Sequence, residues 1–175
     1  MQTHCWLILE EEGTTMKNES VLLDTSFFIN LFKINGAFHE NAKSYWKYFL
    51  EHGYELKIST IAIAEYCVRG VIEDLPLRNL KIEPFNFDHA KKAGEFARII
   101  IDKREQDSLE LPKRAVVIND VKMFAQADLD PSVKFYATAD ANGQKMYSLI
   151  KEKQPIRFDY LTIFTPVNVT FATLF

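Results

Sequence analysis

Apolar and polar positions along the chain fall into blocks that predict strands followed by helices. Residues 20–23, SVLL, form a short apolar run ended by Asp24-Thr25-Ser26, which reads as a buried strand entering a helix cap. A short helix is expected over residues 27–33, stopped at Asn35-Gly36. From about Phe38 to His52, the residues Ala42, Tyr45, Trp46, Phe49 and Leu50 recur at helical spacing and make one apolar stripe, with Gly53 as the stop. ELKIS, residues 55–59, is a second strand, and Ser59 or Thr60 caps a third helix, IAIAEYCVRG, that ends at Gly70. The stretch from there to Asn86 is less regular.

Asp88 is expected to cap a helix to about Arg104, with Ala90, Ala93, Ala97 and Ile100 or Ile101 on one face. Residues 105–114 are polar, contain Pro112 and read as a loop; helix resumes over about 115–127. A turn at 128–132 leads into a strand, KFYAT, that runs out at Asp140, followed by a helix over about 142–153 and the strand-like IRFDYLTIF. The apolar tail TPVNVTFATLF is expected to pack on the domain. Strands alternating with helices in this way imply an α/β fold, with a parallel sheet sandwiched between helices in three layers. Residues 20–175 read as one domain. Residues 1–19 read as an extension that is polar, acidic and without periodicity, and Met16 is a candidate natural start that intact-mass measurement would decide.

Composition narrows the function classes. With 175 residues, 47% apolar and 26% charged, the chain suits one soluble domain with a real core. No apolar run approaches the ~20 residues of a membrane helix, and the first residues lack the basic segment of a secretory signal, so no membrane association and a cytoplasmic location are expected. Cys5 and Cys67 are too few for a disulfide framework or a zinc site. The net charge of −3 argues weakly against a nucleic-acid partner. That charge is unevenly placed, however: Lys17 faces Glu10, Glu11, Glu12, Glu19 and Asp24 in the first 24 residues, and the rest of the chain is slightly basic.

In such a sheet, sites form at the carboxyl ends of strands. Two strands run out on an aspartate, Asp24 and Asp140, and two further acids, Glu65 and Asp120, sit inside apolar helical runs. A carboxylate among apolar neighbours is costly as an isolated ion. Four brought together would repel one another, and a divalent cation is the natural remedy. Oxygen donors without His or Cys favour Mg²⁺ or Mn²⁺, which suits phosphodiester hydrolysis.

Each acid also has a local explanation. Asp24 and Asp140 suit a cap or turn, Glu65 has Arg69 four residues on, and Asp120 suits a first helical turn. None of these explains all four together. The histidines (His4, His39, His52, His89) read as surface residues, Cys67 as a core thiol, and Tyr45, Trp46 and Phe49 as core. Tyr48 and Lys47 read as a solvated face, and Asp128 and Asp130 as turn residues.

The motifs resemble the PIN-domain nucleases, and within them the VapC-type toxin ribonucleases. They are Asp24-Thr25-Ser26 after a short strand, Glu65 early in a helix, Asn119-Asp120 opening a helix rich in small residues, and Thr138-Ala139-Asp140 after a strand. The acids stand 41, 55 and 20 positions apart, and the likeness covers about residues 20–153. It implies a three-layer α/β/α fold and a metal-dependent endoribonuclease restrained by a small antitoxin. Asp24, Asp120 and Asp140 would hold Mg²⁺ or Mn²⁺, and Glu65 would complete the catalytic cluster. Ser26 and Thr138 would orient the acids, and Asn119 would support the substrate or its helix. Lys113 and Arg114 are candidates for RNA phosphate contact. A homodimer is common in that family. The long extension, the turn before Asp140 and the extra length at 102–114 and after 154 depart from its usual pattern. Two rival readings stay open: a catalytically silent PIN-like module that binds protein, and a housekeeping RNA- or DNA-processing nuclease of the same fold. Setting aside the four site acids and the four extension glutamates, the surface left to meet RNA is net positive.

Overall fold

A computed structural model describes residues 19–107 and 114–172 of the chain. Five parallel strands form one sheet in the order β3-β2-β1-β4-β5. They are β1 (Ser20–Leu23), β2 (Glu55–Ser59), β3 (Lys81–Glu83), β4 (Val133–Thr138) and β5 (Asp159–Thr162). The helices are α1 (Thr25–Phe32), α2 (His39–Glu51), α3 (Thr60–Tyr66), α4 (Phe87–Asp107), α5 (Arg114–Leu129), α6 (Ala141–Lys153) and α7 (Val167–Ala172). α2 packs against α1 and α7, α4 against α5 and α6, and α3 touches α1 and α5. The result is a three-layer α/β/α sandwich.

The apolar run of β1 is buried throughout, as expected for a central parallel strand covered on both faces. Leu23 pairs with Ile58 of β2 on one side and Ala137 of β4 on the other. The chain order reverses between β1 and β4. That switch point opens a crevice at the carboxyl ends of these two strands; Asp24 follows β1 directly and Asp140 stands two residues past the end of β4.

On α2, Ala42, Tyr45 and Phe49 are buried as expected, Trp46 is partly buried, and Leu50 lies on the exposed flank. The helix ends at Gly53, whose φ of +72° is the left-handed conformation that glycine adopts freely. Within the apolar tail, α7 packs on the domain, as expected of the tail, and does so as a helix. Phe171 stacks on Tyr48 at 4.1 Å and touches Tyr45, Phe49 and Phe135, while the Tyr45 hydroxyl bonds the Thr170 hydroxyl at 2.6 Å. Tyr48 therefore belongs to this aromatic cluster and not to a bare solvated face.

Other expectations are corrected. α3 ends at Tyr66, so Cys67 lies past the helix and is exposed, not core. The buried face of α4 runs through His89, Ala93, Phe96 and Ile100, because Phe96 outweighs the small side chains of Ala90 and Ala97. His89 is buried: Asn86 Oδ1 accepts from the His89 N–H at 3.0 Å and His89 Nδ1 accepts from the Asn86 N–H at 3.1 Å, a reciprocal cap that replaces the one expected of Asp88. Asp128 lies within α5, where it pairs with Lys92 at 3.4 Å and accepts the Arg157 N–H at 2.9 Å. The extension up to residue 18 and Lys113 lie outside the described residues. Among the described residues, no helix is long and apolar enough to cross a membrane.

Candidate active site

Asp24 sits at the junction of β1 and α1 and is buried, at 7% exposure. It does cap α1, accepting the Ser26 N–H at 3.3 Å. The same oxygen, Oδ2, lies 2.5 Å from the Ser26 hydroxyl and 2.7 Å from the Thr138 hydroxyl. Two side-chain donors beyond the cap are more than capping needs, and they fix the orientation of the carboxylate. The two hydroxyls stand 3.0 Å apart and in turn accept main-chain N–H groups, Ser26 from Ala139 at 2.8 Å and Thr138 from Asp140 at 3.0 Å. The two motifs DTS and TAD are thus sewn together across the switch point.

Glu65 approaches from α3. Its Oε2 accepts the Thr25 hydroxyl proton at 2.7 Å, so the middle residue of DTS ties the second acid to the first. Among the described residues, no ion pair joins Glu65 to Arg69; α3 ends before a further turn could align them. Thr25 was not picked out from the sequence, where it stood between two residues that were.

Asp120 lies in the second turn of α5, beyond the reach of a first-turn helix-dipole effect. Its Oδ2 is buried with no hydrogen-bond partner among the described residues. Burial first, and then the charges of Asp24, Asp140 and Glu65, push its carboxyl up to about 8. The four acids therefore share one electrostatic neighbourhood. Asn119 beside it faces Lys122, whose Nζ donates to its Oδ1 at 3.3 Å.

Asp140 caps α6, accepting the Asn142 N–H on Oδ1 at 2.8 Å. Its main-chain carbonyl accepts the Tyr160 hydroxyl at 2.6 Å. Tyr136 is wholly buried beneath the site, its phenol held well above the usual range by burial and then by the charges of Asp24 and Asp120. Arg114 opens α5, and its side chain lies outside the described residues.

Among the described residues, no three His, Cys, Asp or Glu side chains converge closely enough to enclose an ion as they stand. The donor set is still chemically suited to one. Every acid offers hard oxygen, and Asp120 presents a buried oxygen without a proton donor inside a field of like charges. A divalent cation would satisfy that atom and cancel that repulsion.

No family model matches the chain, and no curated protein matches it. Among solved structures, it is similar to Mycobacterium tuberculosis VapC20, a sarcin-ricin loop cleaving toxin, with TM-score 0.50 and 17% identity over 72% of this chain and 94% of that one. Two further matches are VapBC2 from Rickettsia felis bound to a promoter DNA fragment (TM-score 0.49, 18% identity, 81% of this chain and 97% of that one) and DNA-bound VapBC from Salmonella typhimurium (TM-score 0.48, 12% identity, 81% and 98%). At such identities the likeness is one of fold, and the fold this chain shares with VapC20 is the PIN-like α/β/α sandwich.

Proposed function

We propose that this chain is a divalent-metal-dependent ribonuclease, the toxin of a toxin–antitoxin pair. The observation that carries the reading is Asp120, whose buried, unpartnered oxygen lies in the field of Asp24, Glu65 and Asp140 at the sheet's switch point. A cluster that destabilises the bare fold in this way has the character of a site kept for function. The fold shared with a toxin that cleaves the sarcin-ricin loop supports RNA as the substrate.

Asp24, Asp120 and Asp140 are the residues that would hold Mg²⁺ or Mn²⁺. When bound, the ion would acidify water and stabilise negative charge on the phosphodiester. Ser26 and Thr138 keep Asp24 oriented through the hydrogen bonds their hydroxyls donate. Glu65, fixed by Thr25, would orient a water at the site. Near neutral pH burial and the neighbouring acids favour the protonated form of Asp120, and a bound cation would favour its charged form. A small antitoxin is the proposed protein partner, RNA the substrate, and the cytoplasm the place of action. Lys113 and Arg114 are proposed to contact RNA phosphates.

The test is cleavage of single-stranded RNA by the purified chain with Mg²⁺ or Mn²⁺, with and without chelator. Asp24→Asn and Asp120→Asn should fold and cut nothing. Full activity of Asp24→Asn with Mg²⁺ would contradict the mechanism. No cleavage by the wild type, with no Mn²⁺ binding, would point instead to a silent binding module.

A further inference from the structure

We infer that Tyr160 is a positioning residue for Asp140, holding that acid at the site through its main chain. The inference rests on the metal-site reading above. Asp140 is fixed on three sides. Its N–H donates to Thr138 Oγ1 at 3.0 Å, its Oδ1 accepts the Asn142 N–H at 2.8 Å, and its carbonyl accepts the Tyr160 hydroxyl at 2.6 Å. The first two bonds are local to the strand–helix junction: the second is the ordinary N-cap bond, and the first is accepted by Thr138, two residues back. The third comes from β5, 20 residues along the chain, and links the acid to the body of the sheet.

Tyr160 is well placed to act as a fixed donor. Its register partner is Tyr136 of β4, and its ring meets those of Tyr136 at 5.7 Å, Tyr147 at 5.4 Å and Phe124 at 5.9 Å. A ring held by three others loses little further freedom when its hydroxyl bonds a carbonyl. The hydroxyl reaches Asp140 because residue 143, in the first turn of α6, is glycine. A methyl group there would collide with the Tyr160 hydroxyl and crowd its ring. Glycine within a helix is less favourable than alanine, so its buried place here goes with the close approach of the phenol. The phenol also lies within the field of the acids: after burial, the charges of Asp140 and Asp24 raise it.

The experiment is calorimetric titration of Mn²⁺ into the full chain, for the wild type, Tyr160→Phe, Gly143→Ala, Asp140→Asn and the double variant Tyr160→Phe/Asp140→Asn, with melting curves for each. Tyr160→Phe removes one oxygen and keeps the ring. It should weaken Mn²⁺ binding roughly 10-fold, as loss of a ligand's supporting hydrogen bond does. Gly143→Ala keeps the hydroxyl but displaces it, and places a better helix former in α6. It should weaken binding to a similar extent, which poor helix formation would not explain. In the Asp140→Asn background, Tyr160→Phe should lower the affinity no further. Wild-type affinity in Tyr160→Phe overturns the inference alone. So does an equal loss with and without Asp140, which is the mark of general loosening. A wild-type chain that binds no Mn²⁺ overturns the metal-site reading and the role of Tyr160 with it.

Discussion

Thr138, the last residue of β4, gives its hydroxyl proton to Asp24 at the end of β1 across 2.7 Å. The bond spans the switch point and joins two motifs 114 residues apart in sequence. Thr138→Val keeps the branched shape and removes the donor. A hydrogen bond to a charged group contributes about 1.5–3 kcal/mol, and here the Asp140 N–H loses its acceptor as well. Urea unfolding should therefore show a loss of at least that order, and RNA cleavage should fall chiefly in kcat. Thr138→Ser should restore both. Unchanged cleavage in Thr138→Val would separate this hydroxyl from the site.

Asp120 makes the fold sensitive to pH. An unfolded Asp carboxyl titrates near about 4, and the folded one has been pushed up to about 8. Between these values the folded chain holds a proton that the unfolded chain has released, so stability without cation falls as pH rises through this window. Asp120→Asn mimics the neutral form. It should match the wild type near pH 4, melt several degrees higher at pH 8, flatten the slope between, and cut no RNA. Thermal melts across this range check it. A variant less stable than the wild type at pH 8 would show that Asp120 serves the fold rather than a ligand.

The amino-terminal end of the sheet, away from the acids, holds an ion pair of another kind. Lys57, 2% exposed on β2, pairs with Asp130 and donates to the Ser132 hydroxyl at 2.9 Å. Burial alone would raise Asp130, but the bonds from Lys57 and Ser132 outweigh it and hold its carboxyl below the usual range. That contribution is present above about pH 4 and is lost as pH falls. The two partners are not equally buried, so the two truncations should differ. Asp130→Ala strands a buried ammonium and should cost about 3–5 kcal/mol. Lys57→Met leaves a carboxylate that is still 18% exposed and still held by Ser132, and should cost clearly less in urea unfolding. Equal costs would mean that Glu55, 3.5 Å from Lys57, takes over as its counter-ion.

What could be read from the sequence was whatever local pattern decides. β1, β2 and α2 announce themselves through continuous apolar runs or a helical stripe, and their bounds were anticipated closely. β3 was not, because KIE is three residues long, lies at the sheet edge and carries two charges. The face of α4 was displaced by one residue because alanine spacing was given the weight that belongs to Phe96. The four acids stood out because carboxylates among apolar residues need a reason. Their supporting contacts did not: Thr25 to Glu65 and Tyr160 to Asp140 join residues 40 and 20 positions apart. No local pattern marks such pairs, and only the packing of α3 on α1 and of β5 on β4 creates them.

The central claim, that these carboxylates form a site for a divalent cation, is tested most directly by Mn²⁺ calorimetry at pH 7 in two buffers of different ionisation enthalpy. The difference between the two heats counts the protons released on binding. Asp120 titrates at about 8 in the free chain, so close to one proton should leave for each ion bound at pH 7, and Asp120→Asn should release none. Absence of binding heat, or binding that releases no proton and is unaffected in Asp120→Asn, would contradict the account.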